Sequence, residues 1–170
     1  MIGGGAALFF SGYFAGKQAE AGANLPFAVE VDEPVPDFRG YLLDPAERGP
    51  LFTKDDTVGR PLVLAVWSAG DEQTPAFLRA VTNLASSEAY ADATVLGLCL
   101  DTSRDDALDA LRETEAYVWP HLYNADPRQE VSFRPASVLN VSQTPALYYI
   151  DALGRLRLTT RDVDRLPDSP

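Results

Sequence analysis

Residues 61–78 read Pro-Leu-Val-Leu-Ala-Val-Trp-Ser-Ala-Gly-Asp-Glu-Gln-Thr-Pro-Ala-Phe-Leu. From Leu62 to Trp67 the run is apolar without a break. Such a run suits a strand buried on both faces, as strands of parallel sheets are. A short polar turn follows, and then Thr74-Pro75. Threonine favours the N-cap of a helix, and proline its first position, where the missing N–H costs no hydrogen bond. Phe77, Leu78, Val81, Leu84 and Ala85 then recur at helical spacing. The segment is a strand, a turn and an amphipathic helix.

Outward from it the same alternation continues. Ala93–Leu100 is a second buried strand that stops at Asp101. Ser103 is placed to cap a helix over 104–117, with Leu108 and Leu111 inward and acids outward. Trp119–Tyr123 is short and extended, and 127–140 combines a short helix near 128–134 with the apolar patch Val138–Val141. Ala146–Ile150 is a third buried strand, Asp151–Gly154 a hairpin turn, and Arg155–Thr160 an alternating edge strand. On the N-terminal side, Pro34-Val-Pro-Asp-Phe38 opens the folded part with extended backbone. Residues 40–58 are charged and loop-like, with a turn at Gly49-Pro50. Strand–helix–strand–helix followed by a strand hairpin predicts an α/β fold with a mixed sheet flanked by helices.

The chain has 170 residues, enough for one domain with a full core. Its 25 acids against 14 bases give a net charge of −11, which repels nucleic-acid phosphates and anionic lipid and argues against nucleic acid as a partner. One cysteine, Cys99, and one histidine, His121, rule out an internal disulfide and a Cys/His zinc site within one chain. No metal and no cofactor is expected. Cys99 stands mid-strand between leucines and reads as a small buried hydrophobe; His121 reads as a hydrogen-bonded surface or edge residue rather than a catalyst.

Residues 1–16 carry no charge and include glycines and phenylalanines. They fall short of the roughly 20 apolar residues of a membrane span and lack the basic start of a signal peptide. Three readings fit them: a trimmed membrane anchor or signal, a tail that packs on the domain, or a disordered end. Residues 17–34 read as a linker, 35–161 as the domain and 162–170 as a tail.

In order and spacing, four motifs resemble the thioredoxin superfamily, in its TlpA-like and redoxin (AhpC/TSA-like) branch. These are Pro36-Asp-Phe38, Gly59-Arg-Pro-Leu-Val-Leu-Ala-Val-Trp67, Val95-Leu-Gly-Leu-Cys-Leu-Asp101, and Thr144-Pro145-Ala-Leu-Tyr-Tyr-Ile-Asp151 with Gly154-Arg155. The resemblance implies a thioredoxin-like fold with a cis peptide at Thr144-Pro145 and a tryptophan, Trp67, beside the active-site turn. It also implies Trp-x-x-x-Cys-x-x-Cys, but counting from Trp67 the cysteine places hold Asp71 and Thr74. Neither residue can form or exchange a disulfide. No cysteine stands near the start of the first helix, where a peroxiredoxin nucleophile belongs, and the expected closing helix is short or absent, leaving one sheet face thinly covered.

The expected activity is therefore a redox-inactive one. Trp67, Asp71, Glu72, Gln73, Thr74, Thr144 and Pro145 form a vestigial site and candidate groove for a protein or peptide partner. Two alternatives stay open: an oxidoreductase of the redoxin type working through Cys99, and a structural subunit of a membrane-associated assembly held by residues 1–16. The setting expected for all three is the cell envelope, on its extracytoplasmic side.

Overall fold

The computed structural model describes residues 25–46 and 49–170. The anchor, signal or tail readings of 1–16, and the linker reading of 17–24, lie outside the described residues. Strand β1 (Arg39–Tyr41) pairs antiparallel with β2 (Leu51–Thr53) in a small sheet of their own. The main sheet contains β3 (Leu62–Trp67), β4 (Thr94–Cys99), β5 (His121–Tyr123), β6 (Ala146–Ile150) and β7 (Leu156–Thr160), in the order β5-β4-β3-β6-β7. The first three are parallel, joined by α1 (Thr74–Ala85) and α2 (Arg104–Thr114); β6 runs antiparallel to β3, and β7 antiparallel to β6. A short helix α3 (Pro135–Val138) precedes β6. The mixed sheet flanked by helices matches the architecture expected from the sequence.

The sheet has a core on each face. Val63, Ala65 and Trp67 point to the side covered by α1 and α2, where they meet Phe77, Leu78, Val81 and Leu111. Leu62, Leu64 and Val66 point to the other, with Leu96, Leu98, Leu139 and Tyr148. Every residue of β3 is buried because successive side chains alternate between two covered faces. Its central place makes β3 the strand on which both cores depend.

Residues 25–34, within the expected linker, pack on the sheet. Phe27 stacks on Tyr148 at 4.6 Å, the Tyr148 hydroxyl donates to the Pro26 carbonyl at 3.0 Å, and Leu25 is buried. Backbone bonds between Asp32 and Leu156, and between Leu156 and Glu33, tie this segment to β7. The stretch 40–58, expected as loop, contains most of β1 and all of β2; the Leu43 N–H donates to the His121 carbonyl at 2.7 Å, which joins it to the edge of β5.

At the other end, no full helix closes the chain within the described residues. Val163–Arg165 makes one 3-10 turn, Leu166 buries against the α1 face, and the Tyr90 hydroxyl donates to the Pro167 carbonyl. The tail thus covers a face that the sequence left bare. In place of the short helix expected near 128–134, Val131–Phe133 makes one 3-10 turn before α3; Val138 ends α3, and Asn140 takes a left-handed conformation at φ 53°.

Among the described residues, no helix is long and apolar enough to cross a membrane, and no group of three metal-ligating side chains occurs.

Candidate functional site

The polar turn after β3 is built from the strand end outward. The Ser68 hydroxyl and the Ala69 N–H both donate to the Asp101 carboxylate, at 2.8 and 2.7 Å. Asp101 follows β4, so it clasps the ends of two neighbouring parallel strands. Further along, the Asp71 N–H donates to the Ser68 carbonyl, and Asp71 Oδ1 accepts the Gln73 N–H at 2.9 Å. The turn is thereby closed by its own backbone and by Asp71.

Helix α1 then begins at Thr74, one residue earlier than a Thr74 N-cap requires. Gln73 holds the cap position with no side-chain bond, and the Thr74 hydroxyl turns inward to the Ser68 carbonyl at 2.5 Å. Thr74 is 1% exposed. Its hydroxyl is spent on holding the turn against the helix and is not presented to a ligand.

The loop before β6 meets this turn. The Thr144–Pro145 peptide bond is cis, as the resemblance implies. The Thr144 hydroxyl donates to Asp71 Oδ2 at 3.1 Å across a separation of 73 residues. Of the sequence-predicted site residues, the structure brings together Asp71 and Thr144, with Glu72 and Gln73 exposed beside them and Pro145 buried behind. The result is a surface of carboxylates, amides and hydroxyls with no nucleophilic sulfur.

Trp67 and Cys99 belong to the core. They sit opposite each other on β3 and β4, both fully buried. Trp67 does not line the turn: its indole N–H donates to Nδ1 of His121 at 3.1 Å. Burial pushes the Cys99 thiol well above its ordinary range, and the thiol donates to Asp101 at 3.2 Å. A thiol held protonated and enclosed is a poor nucleophile, because thiolate is the reactive form.

His121, expected at the surface or an edge, is 3% exposed. It stands on edge strand β5, but its ring lies inward over Gly97 of β4, its register partner. A Cβ at Gly97 would fall 2.1 Å from His121 Nδ1. Nδ1 accepts from Trp67, which leaves Nε2 to donate to the Ala116 carbonyl at 2.8 Å. The ring of Trp119 packs on it at 4.0 Å, and the Trp119 indole donates to Thr82 on α1. Desolvation by burial lowers the His121 pKa to about 4, partly offset by the Ala116 carbonyl. His121 is thus a neutral pin joining β3, β5 and the turn after α2.

No family model matches the sequence, and no curated protein matches it. Solved structures do match the fold. One is a putative thiol:disulfide interchange protein DsbE from Chlorobium tepidum, 16% identical, covering 78% of this chain and 86% of that one with a TM-score of 0.63. A secreted Mycobacterium tuberculosis disulfide oxidoreductase homologous to E. coli DsbE is 19% identical over 74% of this chain and 83% of its own, with a TM-score of 0.58. Mycobacterium tuberculosis AhpC is 14% identical, covering 81% and 85%, with a TM-score of 0.59. The fold is thioredoxin-like, of the kind seen in these DsbE-type and AhpC structures. Within that fold this chain carries a single cysteine and has no CxxC pair.

Proposed function

We propose that this domain performs no thiol–disulfide exchange and binds a protein or peptide partner at the turn formed by Asp71–Gln73 and Thr144. The observation that carries the reading is the Asp71–Thr144 hydrogen bond. Asp71 stands where the resemblance places the first cysteine, and it is tied to the loop that precedes β6. The turn is kept in shape by groups that cannot do redox chemistry. The only thiol in the chain, Cys99, is enclosed beneath it and held protonated by burial. A redoxin working through Cys99 is the weaker reading on both counts.

The envelope setting is part of the proposal. It is supported by the uncharged apolar segment 1–16 and by the secreted character stated for the Mycobacterium tuberculosis neighbour. The test is a photo-crosslinking residue placed at Gln73 in the full chain, compared with one placed within residues 1–16. A partner crosslinked from Gln73, and lost with Asp71→Ala and Thr144→Ala, is the expected result. A partner reached only from residues 1–16 contradicts it and favours the structural-subunit reading.

A further inference from the structure

The hydrogen bonds behind the Asp71 turn form one unbroken chain. It starts in the core, where the Cys99 thiol donates to Asp101 Oδ2 at 3.2 Å. The same oxygen accepts the Ala69 N–H at 2.7 Å, and Oδ1 accepts the Ser68 hydroxyl at 2.8 Å. Three donors from two strand ends thus converge on one carboxylate. From Ser68 the chain continues through its carbonyl, which accepts both the Asp71 N–H at 3.1 Å and the Thr74 hydroxyl at 2.5 Å. The Asp71 carbonyl then accepts the Thr74 N–H at 3.0 Å, and its carboxylate accepts the Gln73 N–H and the Thr144 hydroxyl.

The point where this chain leaves the sheet decides what controls the turn. The register of β3 with β4 ends at Trp67 and Cys99. The Leu100 N–H still bonds the Trp67 carbonyl at 3.0 Å, but one residue further on Ser68 and Ala69 are gripped by the Asp101 side chain. Ser68 opens two successive turns, Ser68–Asp71 and Asp71–Thr74, and the second runs into α1. A rotation at Ser68 is therefore carried into the position of Asp71, which has to meet Thr144 across 73 residues of chain. Bonds to a carboxylate are shorter and stronger than those between neutral groups, so this grip outweighs an ordinary turn contact. The carboxylate is itself aimed from below, because its third donor, Cys99, is fully buried on β4.

We infer that Asp101 is the positioning residue of the docking turn: by gripping Ser68 and Ala69 it sets where Asp71 meets Thr144, and Cys99 serves it as a hydrogen-bond donor. The one thiol of the chain thereby has a use without redox chemistry. The inference rests on the reading of the Asp71 turn as a docking surface.

The test is side-chain cross-relaxation and amide hydrogen exchange, measured by NMR on the full chain without a partner. Asp101→Ala is expected to remove the cross-relaxation between Asp71 and Thr144. It is also expected to speed exchange at the Asp71 amide by about tenfold or more beyond any rise at Leu64 and Val66 in β3, the scale of one lost hydrogen bond to a charged group. Asp101→Asn keeps an acceptor for the Ala69 N–H and is expected to preserve the contact. Cys99→Ser, which keeps a donor, is expected to preserve it as well, whereas Cys99→Ala speeds Asp71 exchange. An intact Asp71–Thr144 contact in Asp101→Ala overturns the proposal. So does a change spread evenly over Leu64, Val66 and Asp71, which a support of the whole sheet would give, and so does an Asp101→Asn variant as disrupted as Asp101→Ala. Equal Asp71 exchange in Cys99→Ala and the wild type overturns the role given to the thiol. Where Asp101→Ala fails to fold, Ser68→Ala removes one of the two grips at a half-buried position, and an unchanged Asp71 amide there overturns the proposal. Where Gln73 crosslinks a partner in the wild type, Asp101→Ala is expected to lose that crosslink, and a crosslink retained after the contact has gone overturns the positioning role. A wild type with no crosslink from Gln73 strikes the docking reading alone, since the exchange measurement contains no partner.

Discussion

Acid should destabilise this domain through its one histidine. His121 makes two hydrogen bonds, and one of them requires the neutral ring: Nδ1 must accept from Trp67, while Nε2 donates to Ala116. Protonation would set an N–H against the Trp67 N–H in a buried place. At pH 7 the imidazole is neutral in both the folded and unfolded states, so it carries no penalty. Below about pH 6.5 the unfolded chain takes up a proton. The folded chain does not until about pH 4. Stability is therefore lost as the pH falls through this window, and the loss levels off below it. The interval corresponds to roughly 3 kcal/mol. The comparison variant is His121→Gln, whose amide oxygen can accept from Trp67 and whose nitrogen can donate to Ala116 without titrating. Urea unfolding at pH 7 and near pH 4 should show the wild type losing roughly 3 kcal/mol more than the variant. Carboxylate protonation affects both proteins and cancels in the difference. Since the chain has one histidine, its ring signals can also be titrated without assignment. A midpoint near the ordinary 6.5, or equal losses in the two proteins, would refute the argument.

Other consequences concern the supports of that pin and of the sheet. Gly97→Ala should cost about 2–3 kcal/mol by overpacking, since the new methyl must displace the His121 ring. Its Trp67 indole N–H resonance should move with the lost bond, and an unchanged resonance with unchanged stability would contradict the geometry. Phe27→Ala should lower stability by about 2 kcal/mol through the lost stack and apolar burial against Tyr148. A silent Phe27→Ala in denaturant unfolding would return residues 25–34 to the role of a linker.

How much of this was legible follows from where each signal resides. Strands β3 and β6 were plain because both faces of the sheet are covered, which leaves an unbroken apolar run. Strands β1 and β2 were not, because each has three residues and a mixed exposure pattern. Leu25, Phe27 and Val29 recur at every second position, the period of a chain lying on a surface; that signal was present in the supposed linker, obscured by its neighbouring Ala, Glu and Pro residues. In the site, the replacement of cysteines by Asp71 and Thr74 could be read directly. The inward turn of the Thr74 hydroxyl could not, since an N-cap and the first helical residue differ by a single position. His121 was misplaced for a deeper reason. Its burial depends on the missing side chain at Gly97, on a neighbouring strand, and on the indole of Trp67, 54 residues away. The short pattern Trp119-Pro-His-Leu-Tyr contains neither fact.

The proposed function stands on a thioredoxin-like fold that serves without redox chemistry. The direct measurement is disulfide-reductase and peroxide turnover by the full chain beside its Cys99→Ser variant. The full chain is needed because Leu25 and Phe27 belong to the packed domain. No turnover above background is expected in either protein. Turnover in the wild type that vanishes with Cys99→Ser would contradict it and make the enclosed thiol a working redox centre.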